Sequence, residues 1–181
     1  MASGNRLPPA VSRSVRVMSL VYVKEEVCMG CGLCEVYCTV AHSTSQDVVK
    51  AFKRERPRPV ARIRVERTDG LFLPVQCRHC PDSPCVYACL TGAMHKDPWT
   101  GAVAIDPDKC SGCWTCIMVC PYGAISRDIA KGIVAKCDLC PGRDVPACVA
   151  NCPNEALLWA EDGSADQRAF LARTAQERSG G

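Results

Sequence analysis

The chain has 181 residues with only three Phe, four Tyr and three Trp, so it is long enough for one ordinary domain or two small ones but poor in the large side chains that fill a conventional core. Its formal charge is a weak +3, and no run of about 18 or more apolar residues occurs, which argues against a membrane-spanning helix. The start, Met-Ala-Ser-Gly-Asn-Arg, lacks the apolar stretch of an export signal, and a cytoplasmic location is expected.

Residues 1–20 hold Pro8, Pro9 and scattered Arg and Ser, and read as an extended arm. A first cysteine group follows, Cys28, Cys31, Cys34 and Cys38, spaced C-x2-C-x2-C-x3-C. Residues 43–75 form a basic insertion, with Lys50, Lys53, Arg54, Arg56, Arg58, Arg62, Arg64 and Arg67 against Glu55 and Glu66. Within it, Val60 to Arg67 alternates in period two and predicts a half-buried strand with an arginine face. Such charge runs are usually solvated faces; the alternative is a docking surface for an acidic partner. No stacking aromatics are interleaved, so nucleic acid is not expected.

The second group is Cys77, Cys80, Cys85 and Cys89, spaced C-x2-C-x4-C-x3-C. Ala93 to Ile105 after it predicts strand, turn, strand, with Pro98-Trp99-Thr100-Gly101 as the turn. The third group, Cys110, Cys113, Cys116 and Cys120, repeats the spacing of the first. Ala124-Ile125-Ser126 and Ile133-Val134-Ala135 around Lys131-Gly132 predict a second hairpin. The fourth group is Cys137, Cys140, Cys148 and Cys152, spaced C-x2-C-x7-C-x3-C. Residues 160–181 hold at most an amphipathic turn or two around Phe170 and Leu171. Short helices are predicted to start near the fourth cysteines, each of the last three being followed by a repeat: Cys89-Leu-Thr-Gly-Ala, Cys120-Pro-Tyr-Gly-Ala, Cys152-Pro-Asn-Glu-Ala.

Sixteen cysteines in four groups of four match the thiolate count of four [4Fe–4S] cubes with none left over. The C-x2-C-x2-C-x3-C run is that of bacterial ferredoxins, in which the fourth cysteine ligates the other cluster. Pro121 and Pro153 follow the last cysteines of groups three and four as in that signature, whereas Thr39 and Leu90 stand there in groups one and two, which puts the local turn after Cys38 and Cys89 in doubt. Zinc ribbons do not explain the third and fourth cysteines, and a disulfide framework suits small exported domains. Cysteines are neutral in the charge count, and each oxidised cube with its thiolates carries about −2, so a chain with four cubes sits near about −5. The cubes replace part of the core, and the apo chain is not expected to fold. Met29-Gly30 and Ser111-Gly112 are candidate N–H donors to sulfur, Trp114 packs or shields a cube, and His42, His79 and His95 take supporting or surface roles. No catalytic triad, nucleophile or phosphate loop is evident, and the chain reads as a conductor of electrons without catalytic activity of its own.

Taken together, the four groups, with Gln76-Cys77-Arg78-His79-Cys80, Cys113-Trp114-Thr115-Cys116 and Lys136-Cys137-Asp138-Leu139-Cys140, resemble the four-cluster polyferredoxin subunits. These serve dimethyl sulfoxide reductase, formate dehydrogenase, formate hydrogenlyase, carbon monoxide dehydrogenase and tungsten aldehyde oxidoreductase systems, and the resemblance spans about residues 20–160. It implies an α+β fold of two interleaved ferredoxin-like modules, short helices and β-hairpins around clusters, with an inserted segment. The outer module is residues 21–42 with 130–160 and the inner module 76–129, besides the arm 1–20, the insertion 43–75 and the tail 161–181. It also implies a nested ligand plan: Cys28, Cys31, Cys34 and Cys152; Cys77, Cys80, Cys85 and Cys120; Cys110, Cys113, Cys116 and Cys89; Cys137, Cys140, Cys148 and Cys38. The implied role is electron relay between a catalytic tungsten, molybdenum or nickel–iron subunit and a second redox subunit, flavin-containing among the options. A tungsten aldehyde oxidoreductase comes first, with carbon monoxide dehydrogenase, formate dehydrogenase, a hydrogenase or a free soluble carrier as alternatives. A higher-order array of such subunits is also compatible with the resemblance.

Overall fold

A computed structural model describes residues 18–161, so the predicted arm up to residue 17 and the turns around Phe170 and Leu171 lie outside the described residues. The elements run β1 (Ser19–Val23), a 3-10 turn (Glu25–Val27), α1 (Leu33–Ala41), α2 (Val48–Lys53), β2 (Ile63–Thr68), β3 (Leu71–Gln76), α3 (Pro84–Tyr87), β4 (Met94–Lys96), β5 (Val103–Ile105), α4 (Thr115–Val119), β6 (Ile125–Asp128), β7 (Ile133–Lys136), α5 (Ala147–Ala150) and β8 (Leu157–Glu161). The result is a mixed fold of short helices and small antiparallel sheets.

Three of the four two-stranded sheets are local hairpins: β2–β3, β4–β5 and β6–β7. The predicted strand pairs at 93–105 and 124–135 form as β4–β5 and β6–β7. The fourth sheet joins distant sequence, β1 with β8, in register from Ser19 opposite Glu161 to Val23 opposite Leu157.

Helices do not begin at the fourth cysteines, as the sequence suggested. Helices α1, α3, α4 and α5 each contain the third cysteine of a group, and all but α1 end just before the fourth. The physical reason is the x3 spacing, which places third and fourth cysteines one helical turn apart. Pro84 at the start of α3 needs no N–H partner there, and Ser83 before it donates its hydroxyl to the Cys80 carbonyl at 2.6 Å.

Residues 43–75 are tied into the body. Ile63 and Val65 are buried and Glu66 is exposed, the alternation expected of β2. Asp69-Gly70 turns β2 into β3 with positive φ at both residues, matching the twist of the hairpin. Two further elements carry no clear signal in the sequence: α2, capped by Asp47 accepting the Lys50 N–H at 2.8 Å, and β3.

Two cores result. The first joins Cys34, Cys38, Ile63, Val65, Cys148 and Leu157, drawn from both ends of the chain. The second joins Met94, Val103, Cys116, Ile125 and Val134, all from one continuous stretch. Cysteines are part of both, so sulfur chemistry and core packing are inseparable here.

Candidate metal centre

None of the sixteen cysteines is joined to another by a disulfide. One cavity is lined by Cys28, Cys31, Cys34 and Cys152. A second is lined by Cys89, Cys110, Cys113 and Cys116. Cys80 and Cys120 lie close enough to Cys77 for charge on either to act on its thiol, and Cys85 lies within reach of Cys77 and Cys120. Cys137, Cys38, Cys140 and Cys34 likewise lie close enough for their charges to act on Cys148. Both cavities combine the first three cysteines of one group with the last cysteine of another.

Such crowding of sulfur is costly for protein alone. Burial pushes the Cys34 and Cys137 thiols up to about 12 and Cys116 up to about 11, and pushes Cys148 higher still. Thiolates in these places need cations beside them, which the irons of a bound iron–sulfur core would supply. Backbone N–H groups already point at the sulfurs. Those of Arg62, His79, Met94, Ala124 and Ala156 donate to Cys38 (3.1 Å), Cys77 (3.4 Å), Cys89 (3.3 Å), Cys120 (3.4 Å) and Cys152 (3.2 Å) respectively. These bonds favour charge on sulfur and are among the groups that tune a cluster's potential.

His79 adds a second sign of fit. It is fully buried between Cys77 and Cys80, and its Nδ1 accepts the Val103 N–H at 3.0 Å. Burial, helped by the charge of Lys136, pushes its pKa down to about 3, so the ring is neutral and its proton sits on Nε2. That Nε2 has no partner among the protein atoms. A buried donor without an acceptor suits a sulfur-rich group in the same loop.

The close approach at the loops explains their glycines. A Cβ on Gly30 would stand 2.4 Å from the Phe72 ring, and one on Gly112 would stand 2.4 Å from the Gly132 carbonyl oxygen. Trp114, at φ 64, precedes α4, packs against the second core and lies beneath Arg127, whose guanidinium carbon is 5.4 Å from the ring centre. His95 is exposed on β4.

Arg62 and Asp138 meet beside the fourth cysteine group, a pairing that the sequence did not foresee. Asp138 accepts from His42 Nε2 at 3.1 Å, from Arg62 and from the Cys140 N–H at 3.2 Å. Burial works against the His42 cation, but the bond to Asp138 and then the contact with Cys38 outweigh it and lift His42 to about 9. Burial likewise opposes the Asp138 charge, yet His42 and Arg62 hold its carboxyl well below the usual range. This clamp joins the end of α1, the approach to β2 and the fourth cysteine group. His42, Asp138 and Cys140 place ligand atoms within 4.8 Å of one another, but His42 and Arg62 already occupy the Asp138 carboxylate, so the trio is an ion-pair clamp and not a separate metal site.

Several arginines of the insertion are bonded within the chain. Arg64 reaches the Gly123 carbonyl, Arg67 donates to the Gly30 carbonyl at 3.1 Å, and Arg58 lies over Phe52. No helix among the described residues is long and apolar enough to cross a membrane.

Comparison with known proteins agrees with this chemistry. Residues 68–162 match the family described as the 4Fe-4S dicluster domain. The chain is 39% identical over 154 residues to an iron-sulfur protein of Rhodospirillum rubrum, covering 76% of this chain and 80% of that one. It is 36% identical over 156 residues to the electron transport protein HydN of Escherichia coli K12, covering 77% and 86%. It is 38% identical over 143 residues to the polyferredoxin-like subunit of an aliphatic sulfonate oxidoreductase of Pyrococcus furiosus, covering 78% and 76%.

Proposed function

The chain belongs to the 4Fe-4S dicluster family of ferredoxin-type electron-transfer proteins, and we propose that it carries four [4Fe–4S] clusters as the electron-relay subunit of an oxidoreductase complex. The observation that carries this reading is that two cavities are each lined by three cysteines of one group and the fourth of another, and the charges that act on Cys77, Cys85 and Cys148 support two further sets. The ligand sets are Cys28, Cys31, Cys34, Cys152; Cys137, Cys140, Cys148, Cys38; Cys77, Cys80, Cys85, Cys120; and Cys110, Cys113, Cys116, Cys89. Pairing of β1 with β8 supports grouping residues 21–42 with 130–160 around an inner 76–129 unit.

Each cluster, when bound, takes up and returns one electron at a potential within roughly −700 to +450 mV. The sets line up. Cys34 lies near Cys148, Cys137 near Cys77, and Cys116 near Cys85. The exposed cysteines, Cys31 and Cys113, belong to the two end sets. Electrons therefore enter and leave at the ends, while the backbone N–H groups hold the sulfurs and the two cores keep water from the middle.

The partner in this reading is a catalytic metal subunit, first a tungsten aldehyde oxidoreductase, passing electrons on to a second redox subunit. A relative that is a polyferredoxin-like subunit of an oxidoreductase supports a catalytic partner. Anaerobic purification of the native protein tests both levels. About sixteen iron atoms and sixteen sulfides per chain are expected, together with a co-purifying tungsten, molybdenum or nickel enzyme. A brown but solitary monomer would leave the clusters and remove the complex; a colourless chain would remove both.

A further inference from the structure

We propose that Lys136 sets the potential of the two middle clusters, standing as a fixed buried cation between the Cys77 set and the Cys137 set. This rests on the four-cluster reading above. Lys136 ends β7 and is 2% exposed. Its Nζ donates to the Cys137 carbonyl at 2.7 Å and to the Val103 carbonyl of β5. Among the described residues, no carboxylate oxygen lies within ion-pair distance of it.

A buried ammonium without a carboxylate needs negative charge from elsewhere. The backbone that holds Lys136 belongs to, or is bonded to, two cysteine loops. The Lys136 bond to the Cys137 carbonyl sets it against one middle set, and its bond to the Val103 carbonyl ties it to the strand whose N–H meets His79, in the Cys77–Cys80 loop of the other. Cys77 and Cys85 belong to one middle set and Cys137 to the other. The position is also rigid: Lys136 holds the carbonyl of Val103 while His79, fully buried, accepts its N–H.

The same place in the third group offers an internal control. Lys109 also precedes the first cysteine of its group, but its side chain is 64% exposed and it pairs with Asp106 at 2.9 Å. Water and a carboxylate cancel most of its field.

One added electron makes a cluster more negative by one charge, and a cation held nearby in a poorly polarisable interior favours that state. The electron gained by one cluster is the one lost by its neighbour, and Lys136 takes part only as a charge. Both middle clusters are thereby raised above the two end clusters, so electrons collect in the middle of the relay.

The test is a redox titration of the anaerobically isolated full chain, followed by EPR after iron and sulfide have been counted. Lys136→Met is expected to lower two of the four midpoint potentials and leave the other two in place. Lys136→Arg should keep the wild-type pattern, and Lys109→Met should leave the two middle potentials unmoved. Unshifted potentials in Lys136→Met at full iron content, or an equal shift of all four, overturn this inference alone. A wild-type chain without iron and sulfide for four clusters overturns the reading beneath it as well. Should Lys136→Met fail to assemble, the wild-type titration decides. The first two electrons should settle on adjacent clusters and give EPR signals broadened by spin–spin interaction; two isolated narrow signals at that stage refute the proposal.

Discussion

In the last three cysteine groups the fourth sulfur meets its backbone donor four or five residues further on; in the first group the donor is 24 residues away. Cys89, Cys120 and Cys152 are each followed by a tight turn, closed by the N–H of Gly92, Gly123 and Glu155 onto the cysteine carbonyl at 3.1, 3.1 and 3.3 Å. All three closing residues have positive φ. The corresponding residue after Cys38 is Ala41, which stays helical, so α1 runs past the cysteine and no such turn forms. The N–H of Arg62, from the approach to β2, takes its place. Proline is therefore not what makes the turn, since Leu90 follows Cys89 and the turn is intact. The left-handed third residue is. A ligand pattern fixes where sulfur must be, and either a local turn or a remote strand can complete its surroundings.

The sharpest way to break this contrast is Thr39→Pro, which imposes the ferredoxin proline on the first group. Inside α1 it should cost about 3 kcal/mol or more. Loss of iron from the two sets using Cys34 and Cys38, with a lower melting temperature of the anaerobic holoprotein, would register it; retention of all iron would count against a helical continuation through residue 39. Next come the loop glycines. Gly112→Ala forces a Cβ against the backbone oxygen of Gly132, whereas Gly30→Ala forces one against the Phe72 side chain. Both should cost on the order of 1–3 kcal/mol, with Gly112→Ala the larger. Adding Phe72→Ala should recover part of the Gly30→Ala loss in a thermal melt, and equal losses without recovery would contradict the packing described. The smallest effect belongs to Pro121→Ala. Gly123 makes that turn, so stability should fall by about 1 kcal/mol or less with iron content unchanged.

Much of the centre was legible because cysteine spacing is a direct statement of chemistry. The two hairpins after Cys89 and Cys120 were legible because apolar runs flank turn residues there. Helix placement was misjudged because the spacing between third and fourth cysteines is itself the helical turn. The strand β3 was hidden by Pro74, which lowers strand propensity but faces no ladder requirement at the edge of a two-stranded sheet. The short α2 was masked by the lysines and arginines that made residues 43–75 look like a solvated run, although Ala51 is wholly buried. Lys136 and Asp138 were quoted only as part of a motif, with no role of their own, for a related reason. Charged residues are rarely buried, and only tertiary contacts reveal that these two hold the Val103 carbonyl and the His42–Arg62 pair.

The antiparallel pairing of β1 with β8 bears on how the molecule is made. During synthesis β1 leaves the ribosome among the first described segments, yet its only partner strand in its sheet is completed at residue 161. The second core, with the side chains packed against it, draws on residues 85 to 134 and can close while translation continues. Iron delivery to the nascent polypeptide should therefore begin in the interior of the sequence, with the earliest cysteines held back until the final strand arrives.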